Sequence, residues 1–267
     1  MPVGVERRNS PNNDSTREFP VAFHRRTLRS RGIAVLAAAA VLPLALAGTA
    51  QARKIGDFEV GGAIEIEYDQ AGGAALGDPT SPESDAAAGG KYQTFANNAA
   101  IYWHPDTEAR TVAGQIRDKF AELGNEGGKL GYPVTREEST PGGAGRYNHF
   151  QKGSIYWSVG TGAHQISGPI RDKWAALGWE SSPLGFPLSD VAKAGKADGQ
   201  FSMFPTGAIY WSSATGAHAV WGSIQADWIR AGSEGGRYGY PTSDEYDYQG
   251  GKAQDFQGGK ITWKPSN

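Results

Sequence analysis

The chain has 267 residues, with 26 Lys and Arg against 28 Asp and Glu and a formal net charge of −2. Its positive residues are scattered rather than gathered into a patch, which argues against nucleic acid or an anionic lipid surface as partner. It has no cysteine, so no disulfide can hold the fold and burial must do so.

The N-terminal stretch reads as a targeting segment. Residues 24–31 carry Arg25, Arg26, Arg29 and Arg31, and an apolar run from Ile33 to Ala47 and then Ala50-Gln51-Ala52 follow. A basic region, an apolar region and a small-residue site make a secretory signal, with cleavage expected after Ala52. The apolar run is about 15 residues and is broken by Pro43, short of the ~20 that a spanning helix needs. The expected product is an exported chain starting at Arg53, with no membrane span after cleavage. It holds 19 Lys and Arg against 25 Asp and Glu, a formal charge of −6. Residues 1–23 are polar and read as disordered.

From there the chain repeats. Leu76-Gly77-Asp78-Pro79, Leu130-Gly131-Tyr132-Pro133, Leu184-Gly185-Phe186-Pro187 and Tyr238-Gly239-Tyr240-Pro241 start 54 residues apart. The triplets at Ile101-Tyr102-Trp103, Ile155-Tyr156-Trp157, Ile209-Tyr210-Trp211 and Ile261-Thr262-Trp263 keep nearly the same step. A fixed period over four copies implies a repeat architecture. Within a unit, Ile116, Phe120 and Leu123 are spaced as one face of a helix, and Gly124 follows as a C-terminal glycine. Ile64/Tyr68, Ile170/Trp174 and Ile224/Trp228 repeat the pattern. The tetrad supplies a turn that Pro enforces, and its aromatic is expected to plug the junction of helix and sheet. A polar, Gly-rich surface loop follows, carrying acids at Glu137-Glu138, Asp190 and Asp244-Glu245. Then come Phe150 or its equivalent, a Gly-containing hairpin, the Ile-Tyr-Trp strand and a third strand holding His164 or His218.

The fold class read from this is an α+β repeat protein, mostly β, with four repeats of about 54 residues. Each repeat is a short helix plus a three-stranded antiparallel meander. The domains are a signal segment over 1–52 and a four-repeat domain over 53–267, with units at about 58–110, 111–164, 165–218 and 219–267. The fourth unit stops before its third strand, while Phe58 and Val60 fall where third-strand residues fall. The N-terminal strand is therefore expected to complete the last repeat and close a propeller-like ring. An open stack with polar ends is the alternative.

The tetrads, in phase with the Ile-Tyr/Thr-Trp triplets, resemble the LGFP repeat family of exported actinobacterial cell-envelope proteins. The resemblance covers about residues 58–263 and implies a secreted, cell-wall-associated protein, with arabinogalactan as the ligand to expect, ahead of peptidoglycan and mycolate-bearing glycolipids. The residues themselves agree with a binding module. Eight Trp, eleven Tyr and ten Phe exceed what turns need, and Trp and Tyr join flat apolar faces to polar tips. By strand alternation Tyr102, Tyr156 and Tyr210 point away from the Ile and Trp beside them and are expected to form repeated ligand sites. Trp179 and Trp221 stand where the preceding unit has Asn125 and Ser167, so they are candidates too, together with the recurring His164 and His218. No serine elbow, zinc motif or cysteine nucleophile is present, and the expectation is no enzyme, no cofactor and no metal. A structural envelope protein that binds other proteins is the alternative, and an accessory to or version of a wall hydrolase or mycolyltransferase is a further one.

Overall fold

The computed structural model describes residues 52–265. The expected signal segment and the polar leader lie outside the described residues. The chain enters on a hairpin, β1 (Arg53–Ile55) and β2 (Phe58–Val60), and then forms helix α1 (Gly62–Gln70). Unit one continues with β3 (Ser84–Asp85), β4 (Lys91–Phe95), β5 (Ala99–His104) and β6 (Glu108–Ala113). Unit two is α2 (Gly114–Glu122), β7 (Glu138–Ser139), β8 (Gly145–Phe150), β9 (Gly153–Ser158) and β10 (Gly162–Ile166). Unit three is α3 (Gly168–Leu177), β11 (Ala192–Lys193), β12 (Gln200–Phe204), β13 (Gly207–Ser212) and β14 (Gly216–Trp221). Unit four is α4 (Gly222–Arg230), β15 (Tyr246–Tyr248), β16 (Gly251–Phe256) and β17 (Gly259–Trp263).

Every sheet is an antiparallel meander. The expected three strands are present in the first three units, and the variable loop adds a short fourth at the edge, β3, β7 or β11. Helices end where expected, because Gly72, Gly124, Gly178 and Gly232 follow them at φ +84, +93, +103 and +97. That left-handed turn costs glycine nothing.

The cores explain why single units do not suffice. Ile116 and Phe120 of α2 pack on Ala100, Tyr102 and Val112 of the first sheet and on Phe150 and Ile155 of the second. Ile170 and Trp174 of α3 lie between Tyr156 and Ile166 on one side and Phe204, Ile209 and Ala219 on the other. Ile224 and Trp228 of α4 lie between Tyr210 with Val220 and Phe256 with Ile261. Each helix is thus shared by two sheets, and sheets and helices alternate in layers. A buried Trp takes ~150–250 Å² from water, on the order of 4–6 kcal/mol as an upper bound. Trp174 and Trp228 are wholly buried only because a neighbouring unit covers them.

The strand pairing differs from the expected ring. β2 pairs with β1, with Val60 opposite Arg53 and Phe58 opposite Ile55. Among the described residues β17 pairs only with β16, so Phe58–Val60 does not complete the last repeat. The physical reason lies in β1. It occupies the place that the Ile-Tyr-Trp strand occupies elsewhere, so the edge of β2 is already filled. The hairpin is a shortened sheet laid on α1, with Val60 fully buried against Ile64 and Tyr68 and Ile55 half-buried beside them. At the other end Thr262, in the tyrosine position, is exposed, because no helix among the described residues covers that face.

The tetrad fastens each unit to the one before it, rather than plugging a helix–sheet junction within the unit. Its glycine has φ +76, +70, +73 and +66 at Gly77, Gly131, Gly185 and Gly239. The aromatic that follows lies over a glycine at or just before the first long strand of the preceding unit. A Cβ at Gly145 would come within 2.6 Å of Phe186 Cε1, and one at Gly199 within 2.5 Å of Tyr240 Cζ. Tyr132 and Tyr240 also donate their hydroxyls to Ala87 O and Lys196 O in the preceding unit's loop. Asp78 in the first tetrad is exposed and lies against the β1–β2 turn, where a Cβ at Gly56 would come within 3.1 Å of its Oδ2.

Charge fixes the same junctions. Lys119 of α2 pairs with Asp190 at 3.4 Å, and Lys173 of α3 pairs with Asp244. At the first junction the signs are reversed, with Glu67 of α1 meeting Arg136 at 2.8 Å. Glu67 is buried and also accepts from Thr111 N and Oγ1 at 3.1 and 2.9 Å. Glu67→Lys should therefore destabilise the protein by about 3–5 kcal/mol, because it leaves Arg136 facing a like charge and Thr111 unpaired. Adding Arg136→Asp recreates the Lys–Asp arrangement of the other junctions and should restore part of the loss in a denaturation double-mutant cycle.

Candidate functional site

Layering decides the fate of the tyrosines proposed as ligand contacts. Tyr102, Tyr156 and Tyr210 are 5%, 3% and 9% exposed, and are therefore core rather than repeated ligand sites. They do point away from Ile and Trp, as alternation requires, but that face is covered by the next unit's helix. Each ring meets that helix edge-on, Tyr102 on Phe120, Tyr156 on Trp174 and Tyr210 on Trp228, at 5.3, 4.6 and 4.7 Å. Burial pushes the phenols of Tyr102 and Tyr210 up to about 12.

His164 and His218 are also committed within the protein. Each bonds through Nε2 to the carbonyl of its own turn, Thr161 O at 2.8 Å and Thr215 O at 2.9 Å. Each turns Nδ1 to the next unit's carboxylate, Asp190 or Asp244, at 3.5 Å. They link units and are not free for a ligand. Burial alone would raise the Asp244 carboxyl, but His218, Lys173 and the Ala219 amide outweigh it and hold the group at about 2. Trp221 caps α4 at its N-terminus and packs half-buried on the third core.

Trp179 is different. It has φ +56, a left-handed conformation that is uncommon outside glycine and unfavourable for a bulky side chain. The equivalent positions hold Gly73, Asn125 and Ser233, residues that accept it more readily. Such a conformation costs of order 1–3 kcal/mol and persists only where the surroundings enforce it. Here it swings the indole back over the C-terminus of α3 onto the second sheet. The ring stacks on Tyr156 at 5.8 Å, meets Trp174 edge-on at 5.3 Å, and lies 5.8 Å from the His149 ring. The guanidinium of Arg171 stands 5.1 Å from its centroid.

Around Trp179 the second sheet adds polar groups. Tyr147 and His149 alternate on β8 and so share a face, and Tyr147 stacks on Tyr156 at 5.1 Å. Tyr147 donates its hydroxyl to Glu138 Oε2 at 2.7 Å, and that bond, with burial, pushes its phenol up to about 12. Arg171 Nε donates to Ser154 Oγ at 2.7 Å, and Ser154 Oγ lies 2.7 Å from His149 Nδ1. Burial, reinforced by Arg171, drives His149 down to about 4, so the ring is neutral at neutral pH. Ser154 is fully buried, and its oxygen is engaged on both sides. What the surface offers is half-exposed aromatic rings, neutral donors and a carboxylate, arranged for holding a polar ring. Among the described residues no cluster has the make-up of a metal site.

Of the residues singled out in the sequence, the structure stacks Tyr156 on Trp179, sets His164 opposite Tyr156 and His218 opposite Tyr210 across neighbouring strands, and leaves Tyr102 apart from these. The sequence reading missed Tyr147, His149 and Arg171. A signal for His149 was present. Threonine, methionine and aspartate (Thr94, Met203, Asp255) stand in its place in the other units, and alanine, alanine and lysine (Ala100, Ala208, Lys260) stand in place of Ser154.

Four consecutive segments, residues 76–128, 130–182, 184–236 and 239–267, match the LGFP repeat. The chain belongs to the LGFP repeat family. A comparison with curated proteins finds no match. Among the described residues no helix is long and apolar enough to cross a membrane.

The site makes stability sensitive to acid in a defined window. The folded His149 titrates at about 4, below its ordinary 6.5, so the unfolded chain takes up this proton first as pH falls. Its contribution is complete above pH 6.5 and is lost on the way down to about 4. Asp244 adds a second loss between about 3.8 and 2. His149→Met, which copies Met203, should flatten the melting temperature between pH 6.5 and 4 and leave the lower fall in place. Thermal melts across pH 2–8 measure both.

Proposed function

We propose that the protein is a secreted, cell-wall-associated binding protein that holds envelope polysaccharide without turning it over, and so supports wall integrity. The observation that carries the reading is Trp179. A bulky aromatic is kept in a backbone conformation that its counterparts leave to Gly, Asn and Ser, and its ring is half-exposed beside Tyr147 and His149. Aromatic surfaces with polar tips suit sugar rings, whose C–H faces and hydroxyls demand both. The buried serine and the neutral, lowered histidine do not make a working nucleophile and base, which agrees with binding rather than catalysis. Arabinogalactan is the first ligand to test, with peptidoglycan second.

Trp179→Asn separates this reading from a packing role. It copies Asn125, relieves the backbone, and should leave the melting temperature within a few degrees. Retention on protein-stripped cell wall, and on purified arabinogalactan, should fall about tenfold, a loss near 1.4 kcal/mol. Undiminished retention by the variant would remove Trp179 from the reading. Retention of the native chain only in the presence of another envelope protein would replace the polysaccharide by that protein.

A further inference from the structure

The proposal that follows rests on the polysaccharide reading and narrows it. We propose that His149 is the specificity-determining donor of a single sugar-reading site at the junction of units two and three, and that the site takes an uncharged sugar whose oxygen accepts from Nε2.

The hydrogen-bond chain sets the direction. Arg171 Nε can only donate, so Ser154 Oγ accepts there, at 2.7 Å. The serine proton is then free to go to His149 Nδ1, 2.7 Å away, and Arg171 NH2 points a second donor at the same nitrogen from 3.4 Å. A nitrogen met by two donors is an acceptor, and in a neutral imidazole the proton must then sit on the other nitrogen. Nε2–H has no protein partner among the described residues, and Nε2 is not among the buried unpaired atoms. The indole N–H of Trp179 is likewise without a protein partner there. The two rings are 5.8 Å apart, so both donors lie within reach of one sugar ring. Ser154 and Arg171 act through His149 and are positioning residues.

Charge narrows the ligand. Glu138 holds the Tyr147 hydroxyl, and Glu180 lies near enough to act on both Tyr147 and Tyr156. Among the described residues the one cation beside these rings, Arg171, is engaged with Ser154, His149 and the Trp179 ring. A uronic or phosphorylated sugar would meet two carboxylates and no free cation, whereas a neutral one loses nothing. The other junctions lack the arrangement. At the first, Asn125 stands in place of Trp179 and accepts from Tyr102 Oη at 3.2 Å, with Thr94 and Ala100 in place of His149 and Ser154. At the third, Ser233, Met203 and Ala208 stand there. The repeat therefore carries one reading site rather than a set of equal ones.

The test uses the whole mature chain. Nitrogen-15 spectra of the wild type should show His149 protonated on Nε2 at pH 7, a measurement that needs no variant. Titration should show saturable binding of neutral oligosaccharides released from arabinogalactan, and at least tenfold weaker binding of oligogalacturonate. His149→Met should lower affinity for the neutral oligosaccharides at least tenfold. Ser154→Ala, which copies Ala100 and Ala208, should lower it about threefold and mix the two tautomers. A proton on Nδ1 in the wild type, equal binding of the charged sugar, or full affinity in His149→Met overturns the proposal while the polysaccharide reading stands. Failure of the wild type to bind either the oligosaccharides or stripped wall overturns both.

Discussion

The structure depends on the sharing of each helix between two sheets. A helix of nine or ten residues presents too little surface to hold one sheet alone, and an isolated unit of this size is marginal. Set between two sheets, the same helix buries aromatics such as Trp174 and Trp228 on every side. Stability then belongs to junctions more than to units, as in other repeat proteins. The tetrad serves the same end from the surface. Its glycine turns the chain so that the next residue reaches back over the glycine of the unit before, and its proline ends the turn.

Much of this was legible in the sequence because it is periodic. The helix faces, the C-terminal glycines, the hairpins and the alternation of the Ile-Tyr-Trp strand were all read from spacing, and the structure shows each of them. What spacing does not carry is the identity of the neighbour across a face. Alternation placed Tyr102, Tyr156 and Tyr210 opposite Ile and Trp correctly, but the covering helix belongs to the following unit, so the outward face proved to be a second core. The same gap lies behind the ring. Phe58 and Val60 do match third-strand positions, yet β1 shares no motif with the Ile-Tyr-Trp strand whose place it takes, and only the pairing discloses it. Departures from the repeat were the more informative signal. Thr262 falls where no neighbouring unit covers it among the described residues, and Asp78 falls where the short entry hairpin, not a full unit, lies against it.

The candidate site follows the same logic at finer scale. It could be found only by asking which positions differ between units, since the repeat scaffold is alike at every junction. Trp179 stood out in that comparison and His149 differs from its counterparts Thr94, Met203 and Asp255, but nothing in one dimension connects them. They meet because α3 delivers one to the sheet that carries the other. Arg171, by contrast, has a counterpart in Arg117 and gives no signal of its own. It bonds Asn98 at 2.8 Å in one unit and Ser154 in the next.

The reversed ion pair at the first junction has a consequence for the gene. Tandem copies invite unequal recombination, which deletes or adds whole repeats. If a deletion joined α1 to the loop of the third unit, Glu67 would face Asp190 across a buried contact, and the product would carry two like charges with no cation between them. If a duplication repeated α2 before the second unit's loop, Lys119 would face Arg136. Either slip at this boundary yields a chain that stacks badly, whereas a slip between the second and third junctions, both Lys–Asp, would not. The polarity of one salt bridge thus protects one end of the array from copying errors and leaves the other free to vary in length.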